Sequence, residues 1–431
     1  MRNFYSVLLN TLIANVTTSY LWFALTFWIY LETKSVLATG IVGGSYMLLV
    51  AMLSLVFGVV VDHNKKKKVM VWASMVTLAF YVLAGVGFML HTEAQLTNLH
   101  SYAFYILAGL ILLGSVVENM RNIALSTIVT LLVPKDTRDK ANGMVGSVQG
   151  IGFMVTSVFS GLSVGFLGMG WTMCIAIILT LIAAIHVLFV HIPEKDIFHD
   201  PELAKKKIDI KGSIAAIRAV PGLGLLIIFT TFNNFVGGVF MALMDPYGLT
   251  LFSVQWWGIV LGITSTGFVV GGAIVAKRGL GKNPIRSMLL ANIAVGAVGL
   301  FFALREWWPL YVGGIFVYMC IFPVVEAAEQ TIIQRVVPVN RQGRVFGLAQ
   351  AIESASSPIS AFLIAPIAQF WLIPFMKSDS GKATFGWLLG SGEARGIALV
   401  FILASLIMIA TVLFAFTTKA YRDISNAYQK A

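Results

Sequence analysis

The sequence predicts an all-α membrane protein: twelve transmembrane helices in two six-helix bundles, with both termini cytoplasmic. Three observations carry this expectation. The 431 residues are 58% hydrophobic and only 11% charged, with a mean hydropathy of +0.87, whereas soluble globular domains run near ~45–50% apolar and about 25% charged. The apolar residues gather into runs of the ~20 residues that a bilayer crossing needs. The basic residues gather on alternate sides of those runs. A water-soluble domain lacks surface charge at this composition, and a disordered chain has the opposite composition.

The twelve runs fall at about 5–31, 36–62, 69–91, 102–133, 142–167, 170–192, 221–246, 253–276, 286–304, 310–337, 345–374 and 394–418. The first is too long for the core of a signal peptide, so a retained span is expected. Cys174 and Cys320 sit inside apolar runs with no partner at ligand spacing, which excludes a disulfide scaffold and a zinc site. The net charge of +11 matters less than its placement. Of the 30 Lys and Arg residues, 24 fall at the termini and in the even-numbered gaps, 5 fall in the odd-numbered gaps, and Arg121 lies within a span. The positive-inside rule then puts both termini in the cytoplasm. Trp28, Trp171, Trp256, Trp257, Trp307, Trp308, Trp371 and Trp387 are expected at the outer interface, as an aromatic belt.

Residues 193–220 form the one long internal polar segment, which divides the spans six and six: an N-terminal bundle over 1–192, a cytoplasmic linker, and a C-terminal bundle over 221–431. Ile208, Ile210, Ile214 and Ile217 among Lys and Arg suggest either a short interfacial helix on the inner leaflet or a solvated linker. The halves also repeat. Leu132-Val133-Pro134 through Ala141-Asn142-Gly143-Met144 recurs as Val336-Val337-Pro338 through Val345-Phe346-Gly347-Leu348, at a constant shift of 204. Parallel six-helix repeats build transporters whose substrate site lies between the halves.

Between spans 2 and 3 the chain reads Gly58-Val-Val-Val-Asp62-His63-Asn64 and then four lysines, Lys65 to Lys68. This resembles the signature loop of the major facilitator superfamily. His63 stands where that family usually has Arg, and Lys65 where many members have Gly. Leu131-Leu-Val-Pro134-Lys135-Asp136 with Ala141-Asn142, Gln334-Arg335-Val-Val-Pro338 with Gly343-Arg344-Val345-Phe346-Gly347, Gly392-Glu-Ala-Arg395-Gly396-Ile397 and Tyr421-Arg422-Asp423 look like the macrolide-efflux, drug:proton antiporter branch. The resemblance implies a gating role for Gly58 and Asp62, with Lys66 and Lys67 as the basic pair. In the family the glycine permits close helix approach, and the aspartate meets the start of span 11 and helps to hold the outward-facing state. The fifth span carries Gly150-Ile-Gly152 and Thr156-Ser157 where exporters often show Gly-Pro.

Charged residues inside spans cost roughly 2.5–3.5 kcal/mol each on insertion scales, so they pair, face a cavity or titrate. Glu118 and Arg121 of span 4 are i,i+3 neighbours and share a helix face. They form either a structural ion pair or, with Arg121 at the family's span-4 arginine position, the organiser of a proton or substrate site. Glu326 and Glu329 of span 10 are like charges at the same spacing and cannot both ionise cheaply. One of them is expected to carry a proton across or, alternatively, to reach Arg121 as a switchable pair. Glu353, near the start of span 11, is expected either as polar glue between helices or, with Arg344, in a cytoplasmic gate around Asp62. Asp245-Pro246-Tyr247 is expected to end span 7. The glycine pairs Gly40/Gly44, Gly258/Gly262 and Gly267/Gly271 predict tight helix contacts. Asn15, Trp22, Asn233, Asn234 and Phe235 are candidates for a central cavity lining.

No Walker loop, Ser-His-Asp grouping or metal-ligand cluster is present in the sequence, so neither an enzyme nor a bound cofactor is expected. Energy then comes from an ion gradient, at about 2.3 kcal/mol per unit charge per 100 mV, or from the substrate's own gradient. The expected protein is a proton-coupled efflux antiporter of the bacterial cytoplasmic membrane, exporting an amphipathic, bulky compound by alternating access. Its expected partners are that substrate, protons and membrane lipids, with no nucleic acid; nothing calls for an oligomer, so a monomer is expected. The rival readings are a facilitator or transporter of a specific metabolite, such as a siderophore, lysolipid or amino acid derivative, and a non-transporting membrane sensor whose partner surface is the 193–220 segment.

Overall fold

The computed structural model describes residues 2–33, 36–98, 100–194, 210–252, 254–390 and 393–430, and these are helical almost throughout, with no strand among them. The helices are α1 (Arg2–Thr33), α2 (Val36–His63), α3 (Lys66–Leu90), α4 (Glu93–Thr97), α5 (Tyr102–Leu132), α6 (Arg138–Phe189), α7 (Ile210–Ala219) and α8 (Leu223–Leu251). They continue with α9 (Val254–Arg278), α10 (Pro284–Phe301), α11 (Trp308–Val336), α12 (Val339–Ile367), α13 (Ile373–Lys377), α14 (Asp379–Leu389), α15 (Glu393–Thr417) and α16 (Lys419–Lys430).

Each of the twelve expected runs lies on helix, but they do not map one to one. Runs 5 and 6 share α6, which breaks at Gly168 (φ 76°, ψ 170°), a left-handed conformation that glycine adopts without a Cβ penalty. Ten helices among the described residues are long and apolar enough to cross a membrane. The eleventh-run helix, α12, is not among them. It carries Pro358 and Pro366 and passes into a single π-helical turn over Ala368–Leu372. The twelve-crossing count therefore rests on the sequence pattern, whereas length and composition alone pick out ten helices, one of them the broken α6 that holds two runs.

The chain packs into two compact units that are not contiguous in sequence. The first takes residues 1–141, 148–216 and 337–351; the second takes 142–147, 217–336 and 352–431. The first unit's core gathers Tyr20, Leu25, Trp28, Tyr81, Phe104 and Ile111. The second centres on an aromatic stack in which Phe302 lies 5.2 Å from Tyr311 and 5.0 Å from Phe401, and Tyr247 lies 4.7 Å from Tyr311. Outward faces carry Met89, Phe166, Phe189 and Phe362, each more than three-quarters exposed, an apolar surface suited to lipid and unlike that of a soluble monomer.

Three local expectations are corrected. Asp245-Pro246-Tyr247 does not end the seventh-run helix: α8 continues to Leu251 with Pro246 inside it, as membrane helices allow when neighbours satisfy the freed backbone groups. Trp28 and Trp257 do not join the exposed tryptophans. Both are buried, Trp257 because its indole N–H donates to Asp245 at 2.9 Å and its ring stacks on Tyr311. Of the expected tight glycines, Gly44 and Gly262 face open space, while Gly267 and Gly271 lie against the α11 backbone at Phe316 and Cys320. Residues 195–209 of the expected linker lie outside the described residues; of the part that is described, Ile210–Ala219 folds as α7.

Candidate functional site

In the first unit, α2 and the start of α12 meet backbone to backbone. A Cβ on Gly58 would lie 2.5 Å from the carbonyl oxygen of Gly343, and one on Gly347 would lie 2.5 Å from that of Ser54. Glycine is required at both positions because atoms already occupy that space. One turn beyond Gly58, the buried Asp62 carboxylate accepts the backbone N–H of Gly343 at 2.7 Å and of Arg344 at 2.9 Å. The Arg344 guanidinium stands 3.6 Å from the same carboxylate and donates to His63 Nε2 at 3.3 Å, while His63 Nδ1 donates to Val59 at 2.8 Å. Charge-assisted bonds of this kind are shorter and about twice as strong as neutral ones. The structure thus brings together Gly58, Asp62 and Arg344, as the family resemblance implies.

The two lysines of the motif are tied down rather than left on a solvated loop. Lys66 is 1% exposed; its backbone N–H donates to Glu194 at 2.7 Å and its ammonium pairs with the same carboxylate at 3.3 Å. Lys67 donates to the carbonyl of Leu188 at 2.8 Å, near the C-terminal end of α6, where a cation complements the helix dipole. Glu194 was not a candidate from sequence, since a carboxylate at the edge of a polar segment gives no local sign of its partner 128 residues away.

Glu118 and Arg121 form a buried ion pair at 2.7 Å. Arg121 also donates to Ser74 at 2.7 Å and to Asn10, and Asn10 donates to the carbonyl of Ala183 at 2.9 Å. One guanidinium thereby joins α5 to α1 and α3, and through Asn10 to α6. Its donors point at named acceptors within one unit, the geometry of a scaffold. Beside it, Asn119 donates to Tyr46 at 3.1 Å and accepts from Gln350 at 3.4 Å. The ring of Trp22 lies 5.4 Å from that of Tyr46, and the Trp22 indole N–H is buried without a partner. Asn15 packs where α1 passes Gly152 of α6.

The second unit holds the other carboxylates. Glu353 does not join the Asp62–Arg344 group. It accepts a hydrogen bond from Thr230 of α8 at 2.6 Å, and its carboxyl group lies within hydrogen-bonding reach of that of Glu329 on α11, with Glu326 close enough to act on Glu329 electrostatically. Two carboxyl groups can hydrogen-bond each other only with a proton between them, since an ionised carboxylate is acceptor-only. The sequence placed Glu326 and Glu329 together by spacing; the tertiary partner of Glu329 is Glu353. Asn233 and Asn234 line a cavity of about 130 Å³ within this unit, and Phe235 is not among the residues that line it.

A further cluster centres on Arg395, which the sequence offers only within the Gly392–Ile397 motif and without any sign of its partners. Arg395 is 1% exposed. It donates to Tyr247 at 2.9 Å and to the carbonyls of Leu389 and Ala303 at 3.0 and 3.3 Å, and it pairs with Glu306 at 3.0 Å. Glu306 and the preceding Arg305 both adopt positive φ, 52° and 51°, a conformation uncommon outside glycine. Arg395 ties the ends of α8, α10 and α14 to α15.

The comparisons agree with this architecture. The chain is 24% identical over 377 residues to macrolide efflux protein A of Streptococcus pyogenes, covering 85% of this chain and 89% of that one. Its fold resembles the crystal structure of the human organic anion transporter MFSD10 (TM-score 0.68, 13% identity, 94% and 99% of the two chains). It likewise resembles a bacterial homologue of the iron transporter ferroportin solved in the outward-facing state (TM-score 0.66, 13% identity, 97% and 100%). The Major Facilitator Superfamily model matches residues 7–361, so this multi-pass membrane protein belongs to the Major Facilitator Superfamily of transporters.

Proposed function

We propose that the protein is a proton-coupled antiporter that exports macrolide-like amphipathic compounds from a bacterial cell across its cytoplasmic membrane. It would cross that membrane twelve times with both termini inside and work by alternating access. The observation that carries the coupling is the Glu329–Glu353 pair held by Thr230. Two carboxyl groups sharing a proton in an apolar surround can release it when one of them meets water or a cationic substrate, and regain it on the other side. The resemblance to macrolide efflux proteins supports the substrate class. Asp62 of α2, bonded to the start of α12, acts as the latch of one conformational state, and Glu118–Arg121 acts as scaffold of the first bundle.

The experiment is substrate-evoked proton movement in inside-out vesicles, using a panel of macrolides and lipophilic cations, with Glu329→Gln and Glu353→Gln beside the native protein. The expected result is proton release with at least one panel compound, lost in either variant, while exchange of labelled substrate for unlabelled persists. Proton release that survives in the double variant would overturn the assignment of coupling to this pair. Equilibration of a compound without any proton movement would replace the antiporter with a facilitator.

A further inference from the structure

The cavity in the second unit adjoins the carboxyl pair in a definite register. Thr230, Glu329 and Glu353 form one layer across α8, α11 and α12. The cavity-lining residues Asn234, Val325 and Ser357 each lie four residues away on the same helix, a rise of about 6 Å. Hydrogen bonds knit the layers: Asn234 donates to the Thr230 carbonyl at 3.0 Å, and Ser357 donates to the Asn234 carbonyl at 3.0 Å.

Two further lining residues, Asn292 and Ser405, are 1% and 0% exposed. The Asn292 side-chain oxygen and the Ser405 hydroxyl are buried with no hydrogen-bond partner. Both atoms are too enclosed for a water in the cavity to touch, so the hydrogen-bonding groups offered to an occupant come from the other polar lining residues, Asn233, Asn234, Ser357 and Tyr318. The remaining lining contributes no carboxylate or ammonium, so the occupant is small and uncharged overall. Apolar cavities of this size stay dry, whereas a site with polar partners fills at ~10–15 Å³ of cavity per water; about 130 Å³ holds several.

We propose that this cavity is hydrated and that its waters form the path by which protons reach and leave the Glu329–Glu353 pair. The inference rests on the proton-sharing role given to that pair above. In the inward step a hydronium at the end of the water chain gives its excess proton to a carboxylate oxygen and becomes neutral water; release is the reverse.

Gly237 supplies a clean plug. It lines the cavity, and a Cβ added there meets no atom within 4 Å, so the side chain of Gly237→Leu starts in open space. Asn233→Leu replaces a polar lining group by an apolar one of similar volume and serves if the first variant folds poorly. The protein in lipid nanodiscs is exposed to radiolytic hydroxyl labelling, which marks side chains beside bound water. The carbonyl band of the shared carboxylic acid is identified by infrared spectroscopy from its loss in Glu329→Gln and Glu353→Gln, and its exchange into heavy water is timed. The expected result is several-fold faster labelling of Tyr318 and Met408 in the native protein than in the plugged variant, together with carboxyl exchange at least tenfold slower in that variant. Equal labelling in both, or labelling that falls while exchange stays unchanged, overturns the proton path and leaves the reading of the pair standing. Absence of any such band overturns the reading of the pair, and the path with it, whatever the labelling shows.

Discussion

Two helix crossings built on the same plan differ in one residue type, and the difference separates packing from latching. In the first unit, α2 crosses the start of α12 at Gly58 and Gly347, and four residues after Gly58 the Asp62 carboxylate accepts two N–H groups and faces Arg344. In the second unit, α9 crosses the start of α6 at Gly272 and Gly143: a Cβ on Gly272 would lie 2.5 Å from the backbone nitrogen of Ser147, and one on Gly143 would lie 2.6 Å from that of Ala276. Four residues after Gly272 the chain has Ala276. Both crossings are steric fits between backbones. Only the first adds a buried charge and its partners, so only the first has a bond that can be made or broken by a modest shift. Asn142, next to the second crossing, donates to Thr331 and Gln334 at 2.8 and 2.9 Å, neutral bonds that hold α6 to α11 without a charge.

The comparison is broken most strongly at Asp62. Asp62→Ala leaves the 4% exposed Arg344 without its counter-charge and two N–H groups without an acceptor, and uncompensated buried ion pairs cost about 3–5 kcal/mol. The expected outcome is a marked fall in melting temperature in detergent and loss of transport in vesicles. Ser147→Ala at the second crossing removes only a bond to the Gly143 carbonyl within the same helix and is expected to stay within about 0.5 kcal/mol of the native protein. Equal losses for the two variants would mean that the carboxylate adds nothing to the crossing beyond packing.

Next in size are the glycines themselves. Gly58→Ala and Gly272→Ala each drive a methyl group into backbone of the opposing helix, and overpacking of this kind costs about 1–3 kcal/mol. Thermal melting is expected to report losses of similar size for both. Transport is expected to suffer more in Gly58→Ala, because separating α2 from α12 also stretches the Asp62 bonds. A Gly58→Ala protein that melts and transports like the native chain would show that the helices part there without cost.

Much of this was legible in the sequence, and the limit has a physical form. Spans, the break near Gly168 and the Gly58–Asp62 spacing are local or periodic features, and hydrophobic periodicity carries such features well. The pairing of Glu329 with Glu353, of Lys66 with Glu194 and of Arg395 with Tyr247 and Glu306 depends on which helix faces are turned together. One chain without its relatives does not encode that in any spacing. The Glu326–Glu329 reading shows the limit: i,i+3 spacing correctly gave two carboxylates on neighbouring faces of α11, but the partner within hydrogen-bonding reach came from another helix. The burial of Trp257 against Asp245 and Tyr311 likewise depends on a tertiary contact that no spacing shows.

The smallest expected effect discriminates between two registers of the internal repeat. The shift of 204 that aligns Gly143 with Gly347 also aligns Gly58 with Gly262. If that register governed the helix contacts, Gly262 would be as crowded as Gly58. A Cβ on Gly262 instead meets nothing within 4 Å, and the crowded position on α9 that faces α6 is Gly272. Gly262→Ala is therefore expected to be silent in transport and neutral to slightly stabilising in melting, by at most about 1 kcal/mol, since alanine is the better helix former. Gly58→Ala measured in parallel supplies the contrast. A Gly262→Ala protein as damaged as Gly58→Ala would mean that α9 turns a different face to its neighbours at some point in the transport cycle, and that the repeat register holds in that state.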